Sequence, residues 1–359
     1  MKISIREIAK LAGVSPTTVS FVLNNKKGVS DETRKKIKKL LEDNGYSEKK
    51  RSGNNRTNAS ICIVKYLAEE RREQINNEKD SLMISAIQMA CDEQNVRVFM
   101  TVCHNKNFKD TILGVLQGKY SGIIVIGTLL NAEQIQWLDC VEASDSTLLV
   151  VDNYMMHTGV CGVTVSDKEV SHIALRYLYD MGIRSVAYLR CNQKTEKYAL
   201  RQEGYREAIE FLGMNEAFQL SFDPTIEAAN VGVRDWLKNN PHPPEAVYAD
   251  TGAIALGAMR ALQEYGFRIP EDVSVIGGED IIFGEFSSPA LTAVSNVYNQ
   301  MSRIAVRMIM RRMEDPSQRR MIEHTAVRGS LIVRDSVKQS VNGNGCNETG
   351  AQPLGNGLK

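Results

Sequence analysis

The sequence predicts two folds in one chain: a small all-α helix-turn-helix headpiece, then a large α/β body of two lobes built on parallel sheets. Three observations carry this. Residues 1–46 hold three short helical patterns separated by turn residues. Residues 60–335 alternate nearly continuous apolar runs with helical patterns, the signature of parallel strands covered on both faces. Those roughly 275 residues exceed what one hydrophobic core of this kind holds, so two lobes are expected.

The first helix is expected over Ile5–Ala12, where isoleucine, alanine and leucine fall at helical spacing. Ser4 precedes it with Glu7 three residues on, a capping-box pattern. Gly13 ends it, and Ser15 can cap a second helix that carries Pro16 in its first turn. Val19, Val22 and Leu23 give that helix an inward face and leave Pro16, Thr17, Ser20 and Phe21 for another task. In a helix-turn-helix, the start of the second helix meets base edges in the major groove. A third helix opens at Ser30-Asp31-Glu32 and turns Ile37, Leu40 and Leu41 inward before Asn44-Gly45-Tyr46.

Charge agrees. Residues 1–58 carry ten Lys and four Arg against six acids, a net of +8, whereas the whole chain is +1. A basic head on an acidic body is the asymmetry of a nucleic-acid binder. The alternative is a small helical bundle with a solvated lysine face.

The run Ile5-Arg6-Glu7-Ile8-Ala9-Lys10-Leu11-Ala12-Gly13-Val14-Ser15-Pro16-Thr17-Thr18-Val19-Ser20, then Leu23-Asn24, Val29-Ser30-Asp31-Glu32-Thr33-Arg34 and Gly45-Tyr46, resembles the headpiece of the LacI/GalR family of bacterial transcription regulators. The resemblance implies a homodimer on a palindromic double-stranded DNA operator, acting as a repressor. It puts Pro16, Thr17 and Phe21 at base-readout positions and Thr18, Ser20, Asn24 and Thr33 at phosphate anchors. Phe21 stands where relatives usually have Arg or His. A ring cannot grip guanine in two places but can touch a thymine methyl.

Residues 47–59 depart from the family. Glu48 takes a proline position, and Asn55 the position of the leucine that relatives wedge into the minor groove. Gly53-Asn54-Asn55 is poor helix material. The expectation is an extended basic linker in which Lys49, Lys50, Arg51 and Arg56 add salt-sensitive phosphate contacts, or else a plain disordered tether.

In the body, the clearest strands are expected at Ser60–Leu67, Arg97–Val102, Gly122–Gly127, Thr147–Asp152, Ser185–Arg190, Glu245–Ala249 and Val273–Gly277. Helices are expected at Leu82–Gln94, Asp167–Met181, Lys197–Leu212, Thr225–Asn239 and Ala253–Tyr265. The runs Ala253–Ala258, Gly266–Gly277 and Ser288–Thr292 resemble the type I periplasmic-binding-protein-like body that such heads carry. That likeness implies three crossings between lobes, near residues 160, 290 and 322, and a small polar effector, most commonly a sugar, in the interlobe cleft. By position it makes Arg201, Phe222, Glu279, Asp152 and Asn153 the effector contacts. Several departures weigh against transferring a ligand, or any sugar response. Thr251-Gly252 replaces Asn-Asp, Val165-Ser166 replaces Asp-Asn, Gly278 replaces an aromatic, and Asn77-Glu78-Lys79-Asp80-Ser81 replaces a Pro-Phe-Phe-type stretch.

Rival classes lack their marks. The chain has no GxxxxGK[ST], no GxGxxG opening a helix after a strand and no GxSxG elbow, so no enzyme and no cofactor are expected. Seven cysteines without a CxxC pair and five scattered histidines suggest no metal site. A body of this kind alone would suit a solute-binding receptor. The absence of an apolar signal region or membrane span, and the unpatterned cysteines, point instead to the cytoplasm. Residues 336–359, rich in Gly and Asn, read as a disordered tail without a coiled-coil heptad.

Overall fold

The computed structural model describes residues 5–23, 29–43, 59–67, 73–118, 120–141, 147–315, 317–318 and 321–339. The chain divides into two compact units, Met1–Thr57 and Asn58–Lys359.

In the first unit α1 spans Ile5–Ala12, α2 Pro16–Leu23 and α3 Asp31–Asp43. Gly13 ends α1 at φ +71°, a left-handed conformation that costs glycine nothing. The N–H of Val14 reaches the Ala9 carbonyl (3.0 Å) and that of Gly13 the Lys10 carbonyl (3.4 Å), which satisfies the orphaned end of the helix. Ser15 Oγ accepts from the Thr18 N–H at 3.1 Å and Ser30 Oγ from the Thr33 N–H at 3.3 Å, so both expected caps form. Ile8, Ala9, Ala12, Val19, Val22, Ile37 and Leu41 form the core, with Leu40 half-buried against it. Leu11 points out to solvent instead.

The second unit carries two six-stranded sheets. The first runs β11-β5-β4-β3-β1-β2, from β1 (Ser60–Leu67), β2 (Arg97–His104), β3 (Gly122–Ile126), β4 (Leu148–Val151), β5 (Cys161–Val165) and β11 (His324–Val327), all parallel. Around it lie α4 (Glu73–Asp92), α5 (Phe108–Gln117), α6 (Ala132–Val141) and α12 (Tyr298–Glu314). The second runs β12-β10-β9-β8-β6-β7, from β6 (Ser185–Cys191), β7 (Asn215–Phe222), β8 (Ala246–Ala249), β9 (Ser274–Gly277), β10 (Thr292–Val294) and β12 (Leu331–Ile332), antiparallel only at β12. Its helices are α7 (Asp167–Asp180), α8 (Glu196–Leu212), α9 (Ile226–Leu237), α10 (Gly252–Glu264) and the short α11 (Ile282–Glu285). The central strands are buried on both faces, as parallel sheets require.

Three expectations need correction. The crossings between lobes lie at Ser166, at residues 295–297 and at residues 328–330, each several residues later than expected, because β5, β10 and β11 finish their sheets before the chain leaves. The last two crossings are tied together: Ser295 N–H donates to the Ser330 carbonyl (2.6 Å) and Ser330 N–H to Ser295 Oγ (2.9 Å). Next, α4 begins at Glu73, not Leu82. Its first two turns carry almost no apolar residue, so apolar periodicity could not reveal them. Finally, residues 336–339 belong to the body. Ser336 is fully buried, its Oγ accepting from the Thr292 N–H (2.8 Å) and donating to the Val275 carbonyl (2.6 Å), and Val337 is buried beside it. The rest of the expected tail lies outside the described residues.

Candidate functional site

On the head, Pro16 and Thr17 at the start of α2 are exposed and Phe21, one turn on, is half-buried. Thr18 is half-buried, with Oγ1 2.9 Å from Ser15 Oγ, and the Thr33 hydroxyl accepts from Ser30 Oγ at 2.8 Å. On α3, Lys35, Lys36, Lys38 and Lys39 are exposed while Ile37 and Leu41 face the core, giving one basic face. Asn24, Lys49, Lys50, Arg51 and Arg56 lie outside the described residues, as does the side chain of Ser20.

The interlobe cleft is a buried network of charge. Arg201, on α8, is 1% exposed and uses three edges of its guanidinium. Nε donates to Asp167 Oδ1 (2.9 Å), Nη2 to Glu279 Oε1 (2.9 Å), and Nη1 to the Asp250 carbonyl. Lys197, one turn before Arg201 and so on the same face of α8, places Nζ 2.9 Å from Glu279 Oε1 and 3.5 Å from Asp152 Oδ1. Lys79, from α4 of the other lobe, donates to the same Glu279 oxygen at 3.0 Å. Two ion pairs therefore bridge the lobes, Lys79–Glu279 and Lys197–Asp152.

Burial alone would raise the Glu279 carboxyl, but Lys197, Lys79 and Arg201 together hold it well below the usual carboxylate range. Burial would likewise lower Lys79 and Lys197, but Glu279 and Asp152 hold both ammonium groups above the ordinary lysine value. Asp167 is pushed up by burial, which the Arg201 charge opposes without cancelling. Asp250 is buried and rises to about 6, though Arg201 and hydrogen bonds from the Tyr188 hydroxyl (2.7 Å) and the Cys191 N–H (2.7 Å) favour its ionised form.

Asp152 follows β4 in a left-handed conformation, φ +62°, and accepts from Thr128 Oγ1 at 2.8 Å. A non-glycine residue there is uncommon, and Asp is among the few that tolerate it. Asn153 is turned away from the cleft centre, its amide donating to the carbonyls of Gly127 (2.7 Å) and Leu130 (3.1 Å). Phe222 ends β7 with its ring against α9, where a Cβ on Gly232 would lie 2.2 Å from it; it lines neither cleft cavity. Of the five residues expected in the cleft, Arg201, Glu279 and Asp152 converge, and Asn153 and Phe222 serve packing. The residues that sequence reading missed are Lys79, Lys197 and Asp167. Lys197 could have been found from its four-residue spacing to Arg201.

Two cavities lie in the cleft. One, of about 50 Å³, is bordered by Lys79, Tyr198, Thr251, Glu279 and Tyr298. The other, a groove of about 910 Å³, runs past Tyr154, His157, Arg190, Lys194 and Gln202, with Tyr198 common to both. Among the described residues no group of His, Cys, Asp and Glu is arranged to hold a metal ion, and no helix is long and apolar enough to cross a membrane.

A helix-turn-helix head with a basic face, joined to a two-lobed body whose cleft gathers polar and charged side chains, defines a ligand-responsive DNA-binding protein. Known proteins agree. Residues 4–48 match the bacterial regulatory proteins of the lacI family, and residues 175–337 a periplasmic binding protein-like domain. The HTH-type transcriptional repressor PurR of Vibrio vulnificus (strain CMCP6) is 26% identical over 343 residues, 94% of this chain and 99% of that one. The lac repressor dimer bound to operator and the anti-inducer ONPF superposes with a TM-score of 0.68 at 19% identity, over 94% of this chain and 99% of that one. The transcriptional regulator CelR–cellobiose complex gives 0.65 at 22%, over 93% and 99%. The chain thus carries a lacI-family DNA-binding domain and a periplasmic binding protein-like domain, and it is a DNA-binding transcriptional regulator.

Proposed function

We propose that the protein is a cytoplasmic, non-enzymatic repressor that binds a palindromic operator as a homodimer and is modulated by a small polar ligand, of the carbohydrate kind, between its lobes. Pro16, Thr17 and Phe21 read bases. Thr18, Ser20, Asn24 and Thr33 anchor phosphates, helped by Lys49, Lys50, Arg51 and Arg56 of the linker. Arg201, Glu279 and Asp152 report the ligand. The observation that carries this reading is the pair of ion bridges between lobes, because a ligand that displaces or reinforces them changes the angle between the lobes. Such a ligand regulates only as far as its affinity differs between the two states. The relatives lend support: one is a repressor, one a dimer on its operator, and one is bound to cellobiose.

A second reading has its own observation in favour. The cavity beside Lys79 and Glu279 is only about 50 Å³, so the protein would bind DNA with little response to any neutral sugar. Selection of duplex DNA by the purified chain, repeated with sugars and metabolites, tests both. An enriched palindrome that a ligand shifts is the expected result. No enriched sequence overturns the operator reading, and a palindrome that no ligand moves favours the second.

A further inference from the structure

In the cleft three cationic side chains, Lys79, Lys197 and Arg201, crowd a single carboxylate, Glu279. The ammonium groups of Lys79 and Lys197 carry six N–H between them. Among the described residues they meet only Glu279 Oε1, shared by both, and Asp152 Oδ1 at 3.5 Å, beyond a good hydrogen bond. The shared oxygen also takes Arg201 Nη2, so three cationic groups converge on one carboxylate oxygen. Arg201 needs no further partner, since its other two edges are fixed by Asp167 and the Asp250 carbonyl. The lysines are the under-supplied groups, and they come from opposite lobes. The cavity beside Lys79 and Glu279 holds a water or two, so a larger ligand comes between these two groups only as the lobes part. Parting takes Lys79 from Glu279 and leaves Lys197 facing it across the gap.

From this we infer that Lys79 and Lys197 set the ligand class: the effector carries an anionic group, a carboxylate or a phosphate, that both lysines grip between the lobes. The inference rests on the effector reading above and narrows it. A neutral sugar entering the same space separates Lys79 from Glu279 and offers no charge in exchange, which leaves a buried ammonium unpaired. An anion supplies the missing acceptors to both lysines, while Glu279 keeps Arg201 and Asp152 keeps Thr128. The approach suits it, because the adjoining groove carries Arg190 and Lys194. Of the acids there, Asp139 accepts from the Gly159 N–H and Asp250 from Tyr188 and Cys191, while Glu196 stays exposed.

The test is titration calorimetry on the full chain with matched probes: glucose, glucuronate and glucose 6-phosphate, then galactose, galacturonate and galactose 6-phosphate. At least one acid should bind on the order of 100-fold more tightly than its neutral parent, the scale expected for leaving a buried charge unpaired. The carboxylate and phosphate members of each set tell the two anion sources apart. Lys79→Met and Lys197→Met should each bring the ratio to within about threefold while keeping the circular dichroism of the parent. A neutral sugar that binds as tightly as its acids overturns the inference and leaves the effector cleft standing. So does an acid preference that survives in both variants. Binding of no probe, charged or neutral, overturns the effector reading, and the inference with it.

Discussion

Replacing Arg201 by Met removes the one side-chain hydrogen-bond partner that Asp167 has among the described residues. The side chains of Arg201 and Asp167 are 1% and 2% exposed, and both sit in the same lobe, so opening the cleft cannot rehydrate the stranded carboxylate. Glu279 suffers less, because Lys79 and Lys197 still hold it. Breaking a buried pair from one side costs about 3–5 kcal/mol. At about 2 °C per kcal/mol for a body of this size, the melting temperature should fall by roughly 6–10 °C. Differential scanning fluorimetry of the purified chain reads this directly. Adding Asp167→Asn to Arg201→Met should return at least half of the loss, because the orphaned charge is then gone while the shape is kept. A fall below about 2 °C for the single change would refute the account of a tightly desolvated pair. Failure of the second change to recover anything would place the cost in packing rather than charge.

Other outcomes follow from the same geometry. Asp250 holds its proton more tightly folded than unfolded, about 6 against 3.8, so its contribution is full below pH 4 and is lost as pH rises through 6. The stability of the parent relative to Asp250→Asn should therefore decline across that window, and a rise would contradict the burial of this group. A Cβ on Gly257 would meet the Ile226 carbonyl at 2.3 Å and Ala229 Cβ at 2.7 Å, where α10 lies on α9. Gly257→Ala should then cost up to about 2 kcal/mol net by urea denaturation, because overpacking of about 1–3 kcal/mol outweighs the helix propensity gained, about 1 kcal/mol. Thr17→Ala and Phe21→Ala should relax base preference in competitive binding to variant operators, whereas Lys49→Ala should weaken every site alike and lower the salt dependence. Uniform loss from all three would remove the distinction between base readers and phosphate readers.

The head was legible because its signals are local. A glycine that ends α1, serines that cap α2 and α3, and apolar residues at helical spacing all act within a turn of themselves. Leu11 escaped because the same spacing suits an outward position. Strands of the body were readable where they form long apolar runs, as the half-exposed β2 does. The short β5 and β10 were not, although both are buried, and nor was the edge strand β7, whose residues are mixed in polarity. In the cleft, sequence position located Arg201 and Glu279 but not what surrounds them. Lys79 sits in a polar stretch read only as lacking an aromatic, and its partner is 200 residues away. Asn153 and Phe222 show the reverse: each adjoins the cleft in sequence, and the tertiary neighbours, Gly127 and Gly232, decide where the side chain goes.

The threading of the body has a consequence for how it is made. The first sheet waits for β11 and the second for β12 and the buried Ser336, all drawn from residues 324–336. At about 5–20 residues per second, synthesis delivers the head many seconds before either sheet can be finished. Each lobe therefore emerges from the ribosome with an open edge, β5 in one and β10 in the other, and both edges are covered by one short stretch of chain arriving last. Both lobes are completed by the same segment that joins them.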